Sequence, residues 1–143
     1  MNIAVKGLVL ALFFSLATPT LASERIGDFA LLDDQGKFHQ LSYYGDYSAV
    51  AVLVSGLSSK ADQEQLSAFA AVAKAHADEL VFWVLNPNPS TDRGAARTVL
   101  DDLQVDLPVL MDASQLVAGN LSAKTYGEVF ILNPQAATVM HRT

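Results

Sequence analysis

The chain reads as an α/β sandwich built on one mixed sheet, and three observations predict it. Residues 49–54 are apolar at every position, as in a parallel strand buried on both faces. A second such run, residues 80–85, follows after a loop and a helical pattern. The chain closes on two further runs, 129–132 and 138–141, joined by Asn133-Pro134-Gln135, the pattern of an antiparallel hairpin. Strands alternating with helices, then a hairpin, imply parallel strands extended by antiparallel ones, with helices flanking the sheet.

The elements follow in order. Phe29-Ala30-Leu31-Leu32 and Phe38-His39-Gln40-Leu41 flank Asp33-Asp34-Gln35-Gly36-Lys37, where Gly36 can take a positive φ; this is an N-terminal β-hairpin. Tyr43, Tyr44, Gly45 and Asp46 lead into the central strand, and Ser55-Gly56-Leu57-Ser58-Ser59-Lys60 follows it as a polar loop. A helix then begins at Ala61. Ser59 and Asp62, three apart, have the spacing of a capping box. Leu66, Phe69, Ala70, Ala73 and Ala77 form its apolar stripe.

Asn86-Pro87-Asn88-Pro89 ends the second buried strand, because proline cannot extend a central ladder. Asp92 caps a helix over 93–103, with Ala96, Val99, Leu100 and Leu103 inward. Residues 106–111 read as a short edge strand. Asp112 or Ser114 then starts a short helix through Leu121.

The 143 residues suit one domain and carry a net charge of −6. That balance offers no basic face for phosphates and argues against nucleic-acid binding. Residues 1–22 read as a secretory leader, with Lys6 their only charge, an apolar core from Gly7 to Ala17, and Thr20-Leu21-Ala22 at the cleavage site. A membrane anchor is the competing reading. It needs about 20 apolar residues, and Thr18, Pro19 and Thr20 cut the run short. Residues 23–143 then form an exported domain, periplasmic or secreted, with no membrane anchor after cleavage. The sequence holds no cysteine, which removes a disulfide staple, a lipid anchor and every thiol mechanism of the chain's own.

The pieces Ile26-Gly27-Asp28-Phe29, Leu32-Asp33-Asp34-Gln35-Gly36-Lys37, Val81-Phe82-Trp83-Val84-Leu85-Asn86-Pro87-Asn88-Pro89, Leu107-Pro108-Val109-Leu110-Met111-Asp112 and Glu128-Val129-Phe130-Ile131-Leu132 stand in a familiar order. Together they resemble the redoxin branch of the thioredoxin-like superfamily, the alkyl hydroperoxide reductase/thiol-specific antioxidant family, over residues 25–141. The resemblance implies a thioredoxin-like fold and peroxiredoxin-like antioxidant or oxidoreductase chemistry. It implies a nucleophilic cysteine where the first long helix begins; that position falls at Ser59, with Ser58 the one-residue alternative. A second cysteine would fall near Asp62, and a cis-proline at Gly127, with Tyr126 or Thr125 at the adjacent threonine position. The chain therefore presents a degenerate site at Ser58, Ser59, Asp62 and Gly127. The resemblance also implies a closing helix, and this sequence stops at Thr143 right after its last strand; either the chain is a fragment or that sheet face is covered by something else, and left bare it would be adhesive.

A serine nucleophile needs a base, and nothing in the sequence sets one beside Ser59; a helix cap is its simpler role. His39, His76 and His141 have no ligand spacing, and no metal or cofactor is expected. Trp83 reads as core. Arg93 and Arg97 read as a solvated helix face, with anion binding the alternative. Tyr43, Tyr44 and Tyr47 are either a contact surface or packing beside the strand. Two function classes remain. One is a non-catalytic binding or structural module, holding a protein partner or second copy through the degenerate site or the uncovered sheet face. The other is an oxidoreductase that borrows a partner's cysteine.

Overall fold

The computed structural model describes residues 24–143, so the leader read at 1–22 lies outside the described residues. The elements are β1 (Glu24–Arg25), β2 (Ala30–Leu32), β3 (Phe38–Gln40), a 3-10 turn (Leu41–Tyr44), β4 (Ala49–Val54), α1 (Lys60–His76), β5 (Leu80–Asn86), α2 (Arg93–Leu103), β6 (Val109–Met111), α3 (Leu116–Asn120), β7 (Val129–Asn133) and β8 (Thr138–Arg142). Six strands form one sheet in the order β1-β8-β7-β4-β5-β6. β4, β5 and β6 are parallel, and β7 turns antiparallel against β4. β2 and β3 pair separately as the N-terminal hairpin, with Gly36 at φ +78 in its turn.

All six residues of β4 are buried, as an unbroken apolar run requires, because the strand has a packed layer on each side. On one face, Val50, Val52, Trp83, Leu85, Phe130 and Leu132 pack under the hairpin, the 3-10 turn and α3. On the other, Ala51, Leu53, Phe82 and Val84 meet Leu66, Phe69 and Ala73 of α1 and Ala96 and Leu100 of α2. Each helix buries the stripe its sequence spells. Ala77 departs from the expectation. α1 ends at His76, so Ala77 is the C-cap and stands exposed.

Two other expectations are corrected. The edge strand starts at Val109 rather than residue 106, because Pro108 has no N–H to give a ladder. α3 starts at Leu116, after a left-handed Gln115, yet Asp112 still serves it. Its buried carboxylate accepts from the amides of Val117 (3.3 Å) and Ala118 (2.8 Å). Val129 and Ile131 are half-buried, and Met140 is 56% exposed beside a β-bulge.

The hairpin turn holds two buried aspartates. Asp34 accepts from the Val109 amide at 3.0 Å and lies 3.4 Å from Arg97, locking the hairpin to the sheet edge and to α2. That contact gives Arg97 a structural partner instead of a free anion. Asp33 lies 2.8 Å from His39 Nε2, and His39 Nδ1 lies 3.0 Å from the Tyr44 hydroxyl. Burial pushes the Asp33 carboxyl up, but the bond to His39 and those from the Lys37 and Gln35 amides outweigh it, and the net shift is downward. Burial, then Tyr47 and the Asp33 charge, raise the Tyr44 phenol above its ordinary 10.0. With the Asp33 carboxylate as acceptor, His39 donates to it through Nε2. The tyrosine cluster thus divides. Tyr44 is packing against Trp83, whereas Tyr43 is 70% exposed.

Candidate functional site

The loop after β4 is where an α/β sheet presents a site. Here every turn of it is fixed. Val54 N–H donates to Glu128 C=O (2.9 Å), and Gly127 N–H returns to Val54 C=O (2.8 Å). Ser55, fully buried, accepts from the Leu57 amide through its hydroxyl at 3.2 Å. Leu57 is left-handed at φ +59 with its side chain in the α1 core, a backbone cost that its burial offsets. Gly56 C=O accepts from the Thr91 hydroxyl at 3.1 Å, and Asn88 reinforces that hydroxyl at 3.1 Å. Asn86 in turn donates to Thr91 C=O at 3.1 Å. Asn86, Asn88 and Thr91 were legible in the sequence only as the end of a strand. The repeated Asn before Pro was the available signal, since such side chains bond nearby backbone.

Ser59 is the N-cap of α1. Its hydroxyl accepts from the Asp62 amide at 3.0 Å, and the Asp62 carboxylate accepts from the Ser59 amide at 3.3 Å. Both halves of the capping box are present. Ser58 is exposed beside it, and Asp62 is buried. The expected neighbours at the other side of the site are also adjacent. Gly127 sits at φ +97, and a Cβ there would come 2.6 Å from Gln65 of α1. A Cβ on Gly56 would lie 2.6 Å from the Tyr126 ring. The positive φ favours glycine at position 127, and at position 56 a side chain would have to displace the Tyr126 ring. Glu128 holds the turn by accepting from the Lys124 (2.6 Å) and Thr125 (3.0 Å) amides, and the Thr125 bond leads in keeping its carboxyl below the ordinary value.

The Ser59 hydroxyl is engaged in the cap. A serine attacks only when a base takes its proton, and the carboxylate beside Ser59 is occupied by an amide. His39 is on the hairpin, His76 ends α1, and His141 lies in β8. Among the described residues, no three His, Cys, Asp or Glu side chains gather as a metal site would need. Ser59→Ala is expected to destabilise the domain by about 1 kcal/mol, the usual worth of such a cap. Urea unfolding checks this, with Ser58→Ala, which loses no bond of the cap, as the unchanged control.

No family model matches the chain, and no curated protein matches it. Solved structures do. The hypothetical protein SMc02350 of Sinorhizobium meliloti 1021 superposes with a TM-score of 0.74 at 22% identity, over 84% of this chain and 68% of that one. Peroxidoxin BcpB of Mycobacterium tuberculosis gives 0.70 at 18% identity, over 85% and 83%. The fold is thioredoxin-like. A secreted M. tuberculosis disulfide oxidoreductase homologous to E. coli DsbE gives 0.68 at 11% identity, over 80% and 81%. In this thioredoxin-like chain the mixed sheet and the α1 start after β4 stand as the sequence led one to expect. The 143 residues contain no cysteine to equip that frame.

Proposed function

We propose that this chain is an exported redoxin-like module that holds a protein partner and performs no thiol chemistry of its own. Export rests on the leader pattern at 1–22, and the described residues contain no helix long and apolar enough to cross a membrane. The single observation that carries the reading is Ser59. At the position the redoxin resemblance assigns to a nucleophilic sulfur, a hydroxyl is bound into a capping box. A serine oxygen cannot run the thiol–sulfenate cycle that peroxide reduction requires. Ser58, Ser59, Tyr126 and Gly127 then form a contact surface at the end of the sheet. The strip at Val129 and Ile131 is a second place for a partner protein or another copy of the chain.

A peroxide-consumption assay on the mature protein, with dithiothreitol as reductant, tests this. The expected rate equals that of buffer with reductant. Turnover well above buffer contradicts the proposal. Activity that appears only with a cysteine-bearing partner would favour the alternative, an oxidoreductase completed in trans.

A further inference from the structure

The opposite end of the sheet carries a feature that this reading does not use. β6 pairs with β5 only from Val84 to Asn86. Backbone groups alternate sides along a strand. Val84 N–H donates to Pro108 C=O (3.1 Å) and Asn86 C=O accepts from the Asp112 amide (2.9 Å), so even-numbered residues of β5 point toward β6. Leu85 C=O instead accepts from the Ser55 amide, just past the end of β4 (3.0 Å). Leu80 and Phe82 therefore aim their amides and carbonyls where β6 does not reach. Continuing the ladder would pair Phe82 C=O with the N–H of residue 108, which is a proline and has none. Among the described residues, no hydrogen bond engages Leu80 C=O or Phe82 N–H on that side.

A cavity of about 540 Å³ lies against this bare edge. Tyr44 and Tyr47 wall it on one face of the sheet, and Ala70 and Ala73 of α1 on the other. Leu80, Val81 and Phe82 are its floor, and Leu107 closes the β6 end. The space runs along the edge of the sheet, and Ser67, Lys74, Gln104 and Asp106 line it beside the apolar residues. Its unpaired carbonyl and amide flank Val81, which is the acceptor–donor pair that one residue of a neighbouring parallel strand uses.

We propose that this slot binds an extended apolar peptide segment of a partner protein, added as a short strand parallel to β5. One peptide residue donates to Leu80 C=O and accepts from Phe82 N–H. Its neighbouring side chains point alternately to the tyrosines and to the alanines of α1, whose small size leaves the room. This is strand addition at a sheet edge, in which the backbone bonds supply the affinity. The site lies at the opposite end of β4 and β5 from Ser59 and does not depend on the reading given to Ser59.

The probe is acetyl-valyl-leucyl-valine amide, titrated into the 15N-labelled protein. The expected result is a saturable shift of the Phe82 and Leu107 amide resonances, with Ser59 and Gly127 unmoved. The same peptide N-methylated at leucine keeps the apolar side chains and loses the N–H for Leu80 C=O; it should bind about tenfold more weakly or worse. Ala70→Phe should fill the slot and abolish the shifts. No shift at millimolar peptide overturns the proposal, and equal binding of the N-methylated peptide overturns it too, by reducing the slot to an apolar cavity.

Discussion

Trp83→Ala is expected to cost about 3–5 kcal/mol, the range for emptying a fully buried aromatic position. Trp83 is 1% exposed and is the post on which the segment from Phe29 to Tyr44 rests. Its ring meets Phe29 at 6.0 Å, His39 at 5.9 Å and Tyr44 at 5.2 Å between centroids, each edge-on. These residues come from the start of the hairpin, its second strand and the 3-10 turn, so one side chain holds three segments on the sheet. Its loss also removes a wall from the Asp33–His39–Tyr44 chain of hydrogen bonds. Against a typical total of about 5–15 kcal/mol, the variant should be marginal at room temperature. Urea unfolding followed by far-ultraviolet circular dichroism measures it, and Trp83→Phe should lose much less. A cost below about 1 kcal/mol for the alanine variant would mean the hairpin is held by other contacts.

The sequence made some of this plain and concealed the rest for physical reasons. The Ala49–Val54 run and the Ser59/Asp62 spacing are local signals, and β4 and the α1 cap stand where those signals put them. α2 likewise runs from Arg93 to Leu103, capped by Asp92. Long-range pairing has no such signal. Asp34 finds the Val109 amide 75 positions away, and nothing around either residue announces it. Gly56 C=O finds Thr91 by the same kind of meeting. The two-residue β1 is too short for any period to appear, and it exists because β8 offers it an edge. The late start of β6 was readable in principle from Pro108, since a missing N–H stops a ladder wherever it falls. At the candidate site, Ser59 and Asp62 were legible through the cap. The close packing of Gly56 on Tyr126, and of Gly127 on Gln65, required the fold.

The central claim is that the junction of loop and α1 is the reactive corner of a redoxin-like scaffold, occupied here by a cap instead of a sulfur. Introducing the sulfur tests it. In Ser59→Cys, the Asp62 amide and the amino end of α1 should stabilise a thiolate. The Asp62 carboxylate opposes that field, so Asp62→Asn in the same background should lower the thiol pKa further. The decisive measurement is the pH dependence of maleimide labelling of the folded Ser59→Cys protein. The account predicts ready labelling with a midpoint below the ordinary thiol value of about 8.5. A midpoint at or above that value, or a thiol that labels only after unfolding, would contradict it.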